Sequence, residues 1–254
     1  MKIIYEIKLT NDQVQEVFVR KLQKNYLNKQ VSDTILSADD KNNIVITAID
    51  DLQKNKYDDI SLCNYLNDNL WNRNVDDYVY SNSLANVKVI IHIRCIESNE
   101  ELLVVTRCNS YFTSIKGGFS KDEYNILQTQ DEINQYGKNK KTAVYTAATR
   151  ELKEEIGFLC EFTDSTKTIK LNLKNKKNPI IINGTYKLYE NRNIFKKKFV
   201  IDATFPVNEF NILKNYFKYN KQSLIDKMKN GAELSKIVIV HDNIKSYYNN
   251  YIKL

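Results

Sequence analysis

The sequence predicts an α+β fold, and three observations carry that prediction. Apolar residues recur at four-residue spacing in some segments, as in Val14, Phe18, Leu22 and Tyr26, and gather into short β-branched runs in others, as in "VKVIIHIRC". The two kinds of segment are mixed without a regular strand–helix–strand alternation, so layers of helix and strand are expected instead of a doubly wound sheet. Hydrophobic residues make up 42% of the 254 and charged residues 27%, a composition that supports a buried core.

Taken in order, a first strand is expected before Thr10, which caps an amphipathic helix carrying Val14 and Phe18 inward and Arg20, Lys21 and Lys24 toward water. A second helix follows Asp58 and Asp59, with Cys63, Leu66 and Leu70 on one face and Trp71 closing the packing. Residues 1–84 therefore read as a small, mainly helical accessory lobe. The pattern then changes: Val87 to Ile96 and Leu102 to Arg107 flank "ESNEE" as a strand hairpin. Gly117 and Gly118 follow a short apolar segment and permit a close backbone approach. Residues 119–141 form a polar insertion in which "SKDE" resembles a capping box, so a short helix is expected there. A longer helix runs from about Thr142 to Ile156 and stops at Gly157, a good C′ residue. Beyond it, "TKTIKLNL", "PIIINGTYKLYE" and "KKFVIDATF" read as strands, "EFNILKNYFKYNKQSLIDKMK" as helix, "SKIVIV" as strand and "NIKSYYNNYIKL" as a terminal helix.

Composition narrows the chemistry. No apolar run approaches the ~18 residues of a membrane helix, and "MKIIYEIKLTND" lacks the features of a signal peptide, so an intracellular protein that spans no membrane is expected. Cys63, Cys95, Cys108 and Cys160 form no CxxC pair, which predicts reduced, mostly buried thiols. His92 and His241 are the only histidines, which argues against zinc sites and against Ser/His or Cys/His nucleophilic catalysis. The net charge of +7 and the pI near 9.0 favour an anionic partner, nucleic acid or nucleotide ahead of an acidic protein.

One segment goes against this charge. Glu151, Glu154 and Glu155 stand at i, i+3 and i+4 and gather on one flank of a helix, while Ala148, Leu152 and Ile156 form an apolar stripe on another. Each like-charged pair costs an isolated helix roughly 0.2–0.5 kcal/mol, and Arg150 offsets only part of that. Such a run is either a solvated helix face or a seat for a hard divalent cation such as Mg²⁺, which takes carboxylate oxygens and shares them with substrate phosphates.

The run Arg150-Glu151-Leu152-Lys153-Glu154-Glu155-Ile156-Gly157-Phe158 resembles the second half of the Nudix box, R-E-U-x-E-E-x-G-U with U aliphatic or aromatic. The strand hairpin ending "LLVVTRC", then "SIKGGF", then the helix are also similar to the order of elements in a Nudix domain, over about residues 85–254. The fold implied is a mixed sheet between helices, an α/β/α sandwich. Two departures stand out. A longer polar insertion separates Gly118 from Arg150, so that Thr142, eight residues before Arg150, stands where the glutamate of the first box segment belongs, and Lys116 replaces a proline usual before the glycines.

The resemblance implies hydrolysis of a phosphoanhydride with Mg²⁺ or Mn²⁺. Glu151, Glu154 and Glu155 would be metal ligands, the Gly117 or Gly118 carbonyl a further one, and Arg150 would orient Glu151 or its neighbours. Glu233, in the late segment "NGAELSKIVIV", is the expected general base, with Asp202 a second choice. The chain further resembles the Nudix hydrolases of large DNA viruses, including mRNA-decapping enzymes that release m7GDP and an ADP-ribose pyrophosphatase. The implied substrate is capped mRNA or another nucleoside diphosphate derivative. Lys116, Lys138, Lys140 and Lys141, with Tyr111, Tyr124, Tyr136 and Tyr145 nearby, would bind RNA by charge and stacking. A small-nucleotide pyrophosphatase and an inactive Nudix-fold binding module are the alternatives.

Overall fold

The computed structural model describes residues 1–22, 54–55, 61, 87–107, 111–128, 136–173, 179–191, 197–230, 234–242 and 251–253. They form a ten-stranded mixed sheet and five helices, an α+β arrangement as expected. The strands are β1 (Lys2–Lys8), β2 (Lys88–Cys95), β3 (Glu100–Thr106), β4 (Ile115–Gly118), β5 (Leu159–Thr163), β6 (Thr168–Leu173), β7 (Ile180–Asn191), β8 (Lys198–Thr204), β9 (Leu234–His241) and β10 (Tyr251–Lys253). The helices are α1 (Asn11–Leu22), α2 (Lys121–Gln128), α3 (Tyr136–Glu155), α4 (Val207–Tyr219) and α5 (Lys221–Asn230).

Along the sheet the order is β1-β9-β3-β2-β8-β7-β6-β5, with β4 pairing the first half of β2 and β10 pairing β7. Only β2 and β8 run parallel, at the centre; every other pairing is antiparallel. Strand alternation supplies the core: Val89, Ile91 and Ile93 from β2, Phe199, Ile201 and Ala203 from β8, and Ile237 and Ile239 from β9 are buried together. Against them pack Val14 and Phe18 of α1, Ala143, Ala147, Ala148 and Leu152 of α3, Phe210 and Phe217 of α4 and Leu224 of α5. Among the described residues every helix feeds this one core, so the second helical layer of the expected sandwich is not seen there.

Three expectations need correction. Residues 1–22 join the sheet and its core: β1 is an edge strand, paired with β9 from Lys2↔His241 to Lys8↔Lys236, and Ile7, Leu9, Val14 and Phe18 belong to the common core. The helix expected after Asp58 and the boundary near residue 84 lie outside the described residues. The terminal helix is not formed at its end, because Tyr251–Lys253 pairs with Tyr189–Asn191 as β10. Finally, α3 begins at Tyr136, six residues before the expected start, and takes in the end of the 119–141 insertion. Of the cysteines, Cys95 and Cys160 are free and buried as expected, and burial raises the pKa of the Cys160 thiol. Cys63 and Cys108 lie outside the described residues.

Candidate functional site

The site is built where α3 passes under β4. Leu152 and Ile156 anchor the end of α3 in the core, and Gly157, at φ 81°, stops the helix in the left-handed conformation its missing side chain allows. This anchoring turns Arg150, Glu151 and Glu154 toward the Gly117–Gly118 strand end.

Arg150 is the hub. Its guanidinium holds Glu123 through two parallel hydrogen bonds of 3.0 Å, Nε to Oε1 and Nη2 to Oε2. Nη1 donates to Glu151 at 2.7 Å and to Glu154 at 3.1 Å, and Nη2 donates to the Gly118 carbonyl at 2.6 Å. Glu151 and Glu123 are buried, whereas Glu154 is exposed. The Gly117 Cα faces the Glu151 carboxylate so closely that a β-carbon there would lie 1.8 Å from Cδ.

Glu123 is the residue that counting back from Arg150 missed. The structure brings Glu123, and not Thr142, into contact with Arg150. The signal was present in the sequence: Glu123 follows Gly117 by six residues, and the insertion falls between Glu123 and Arg150. Glu123 also completes the capping box of α2. The Ser120 N–H donates to Glu123 Oε2 at 2.7 Å, and the Glu123 N–H donates to Ser120 Oγ at 3.2 Å.

The electrostatics divide the carboxylates. Burial opposes ionisation of Glu123, but the Arg150 and Ser120 hydrogen bonds outweigh it and hold its pKa below the usual glutamate value. Glu151 goes the other way: burial, helped by the neighbouring Glu154 and Glu123 charges, raises its pKa despite Arg150. Around one guanidinium stand Glu123, Glu151 and Glu154, with Glu155 next along the helix, a negative excess that a hard cation would relieve. In chemistry and charge the residues fit a divalent ion. As arranged, Glu151 and Glu154 turn onto Arg150, and among the described residues no three acidic, histidine or cysteine side chains converge as a ligand set.

The remaining candidates fall elsewhere. Glu233 lies outside the described residues, as does the side chain of Lys138. Asp202 pairs in register with His92 and faces away from the core; its carboxylate lies 3.5 Å from Arg94 Nε, on the opposite side of the sheet from Glu151. It belongs to a polar cluster in which His92 Nδ1 approaches Glu101 at 2.9 Å, Arg94 at 2.7 Å and Ser114 at 2.9 Å. Lys140 is turned inward and not to the surface: it is 4% exposed and donates to Glu190 at 2.6 Å. Lys141 donates to Asp164 at 3.3 Å. Lys116 alternates to the sheet face away from Glu151 and stands 5.5 Å from the centre of the exposed Tyr111 ring. Tyr124 and Tyr145 pack partly buried against the core, and the Tyr136 side chain lies outside the described residues.

A groove of about 1220 Å³ runs along α3 between Thr142 and Gly157, facing β5 and α5; Arg150 and Glu154 are part of its lining, and Tyr145 and Phe162 line it nearer Thr142.

No protein-family model matches the chain, and no curated protein matches it. Among solved structures, a hydrolase of the NUDIX family from Clostridium perfringens matches 48% of this chain and 69% of its own, at 15% identity and a TM-score of 0.23. Similarity at that level assigns no family. No helix among the described residues is long and apolar enough to cross a membrane.

Proposed function

We propose that the chain is a divalent-dependent phosphoanhydride hydrolase of the Nudix type, and that capped mRNA is its substrate. The observation that supports this best is the Arg150 hub: one guanidinium gathers Glu123, Glu151, Glu154 and the Gly118 carbonyl, drawn from two segments that the box pattern also joins. Glu151, Glu154 and Glu155, with the Gly117 or Gly118 carbonyl, would hold Mg²⁺ or Mn²⁺. When bound, such an ion neutralises a diphosphate and lowers the pKa of a water that attacks it. The chain's own part is positioning. Glu123 fixes the guanidinium plane, the guanidinium sets the Glu151 and Glu154 carboxylates, and Gly117 leaves room for Glu151 against the strand. The basic net charge supports an RNA substrate over a small nucleotide.

Replacing Glu155 by Gln tests the reading: divalent-dependent turnover falls by orders of magnitude while the fold, followed by circular dichroism, is unchanged. Turnover within twofold of the parent would reduce the helix to a solvated face. A second reading, an inactive module that binds RNA or nucleotide, is favoured by the lack of a converged ligand set among the described residues. RNA binding by the parent without any divalent-dependent hydrolysis would select it.

A further inference from the structure

We infer that the groove along α3 is the track of a single-stranded nucleic acid chain leading away from the glutamate cluster, an inference that rests on the hydrolase reading for its direction but not for its existence. The groove is continuous with the proposed site, since Arg150 and Glu154 line both. From Glu154 it follows α3 back to Thr142, twelve residues earlier, about 18 Å at the rise of an α-helix. That is longer than one nucleotide fills, and the volume of about 1220 Å³ exceeds the 300–1,000 Å³ usual for small ligands.

The lining suits a strand of phosphates and bases. Of its charged side chains, Lys153 and Lys227 are basic, while Arg150 and Glu154 are paired with each other within the glutamate cluster. Midway, Thr146 is exposed on α3, and farther along Tyr145 and Phe162 stack at 4.7 Å with their planes 17° apart, both half-buried so that ring surface reaches the groove. The pair is held in place: Tyr186 donates to the Tyr145 hydroxyl at 2.7 Å, and Tyr145 donates to Asp164 at 2.9 Å. A basic edge with a fixed aromatic platform is the chemistry that binds single strands without sequence preference.

The test measures the affinity of a short fluorescent, uncapped single-stranded RNA for the full chain by anisotropy across a salt series, beside divalent-dependent hydrolysis of ADP-ribose and of capped RNA. Lys153→Glu and Thr146→Glu change exposed α3 residues outside the hub, so the fold is retained. Each is expected to weaken RNA binding about tenfold at low salt, and loss of a lysine contact lowers the log–log salt slope by about 0.7. Lys187→Glu, exposed on the sheet face away from α3, leaves affinity within twofold. The inference is overturned if the parent binds no RNA, if both groove variants bind as the parent does, or if Lys187→Glu weakens binding as much as they do. A parent that binds RNA through the groove yet hydrolyses neither substrate supports this inference and sinks the hydrolase reading; hydrolysis with groove variants that bind normally does the reverse.

Discussion

Gly117 and Glu151 occupy the same small space: the carboxylate lies where the β-carbon of any other residue at 117 would have to be, 1.8 Å from Cδ and 2.0 Å from each oxygen. Gly118, its neighbour, has nothing within 4 Å of the same construction. Two adjacent glycines therefore have unequal roles. Gly117→Ala is expected to push the Glu151 carboxylate aside, abolishing any rise in Tm on adding Mg²⁺ or Mn²⁺ and lowering turnover at least tenfold. Gly118→Ala is expected to keep both. Thermal unfolding with and without divalent ion checks the pair, and equal behaviour of the two variants would contradict the placement.

The pairing of Glu123 with Arg150 makes a prediction about acid stability. A glutamate whose folded pKa is lowered contributes stability above the ordinary glutamate value and loses it as pH falls through the folded one. Glu123→Gln removes a bidentate bond to a charged partner and is expected to cost about 2 kcal/mol at neutral pH. The gap to the parent should narrow as pH falls below the ordinary glutamate value and close only below the lower folded one. Chemical denaturation of the two proteins across pH reads this directly.

Glu151 predicts the opposite sign. Its raised pKa means that the fold prefers the protonated side chain, a stabilisation present at low pH and lost as pH rises through the folded value. Neutral Gln at 151 is expected to raise Tm slightly at pH 7 in the presence of chelator while removing the divalent-dependent shift in Tm. A variant that is less stable than the parent and still responds to divalent ion would refute both halves.

Lys140 separates structural from ligand-binding lysines. Because it is buried against Glu190 and lies 5.9 Å from the Phe199 ring centre, Lys140→Ala leaves a poorly hydrated carboxylate alone and is expected to destabilise by about 3 kcal/mol. RNA affinity of the folded fraction should stay within twofold. A stable variant with weakened RNA binding would return Lys140 to the surface role its sequence neighbours suggest.

Local features were legible in the sequence, and pairings made at a distance were not. The capping box at Ser120–Glu123, the stop at Gly157 and the β2–β3 hairpin each depend on residues a few positions apart, and all three formed. The spacing of Arg150, Glu151 and Glu154 on one helix was equally readable. What failed depended on tertiary contact. β1 looks like the start of a helical lobe until β9, more than two hundred residues later, pairs with it. Lys140 sits in a lysine run, and only the approach of β7 buries it against Glu190. The strand β5, whose "LCEFT" carries a glutamate amid apolar residues, is specified by its hairpin with β6, turned through Lys167 at φ 53°. Glu123 was hidden by a different cause: the insertion displaced it from Arg150 in sequence, while the hub restored the contact in space.

The central claim, that the Arg150–glutamate cluster hydrolyses a phosphoanhydride with a divalent cation, is tested most directly by product analysis. Purified protein is incubated with cap-labelled RNA and, in parallel, with ADP-ribose, in Mg²⁺ or Mn²⁺ and in chelator. The account predicts m7GDP from the capped RNA, formed only with divalent ion and lost in Glu155→Gln. No hydrolysis of either substrate under any of these conditions would contradict it.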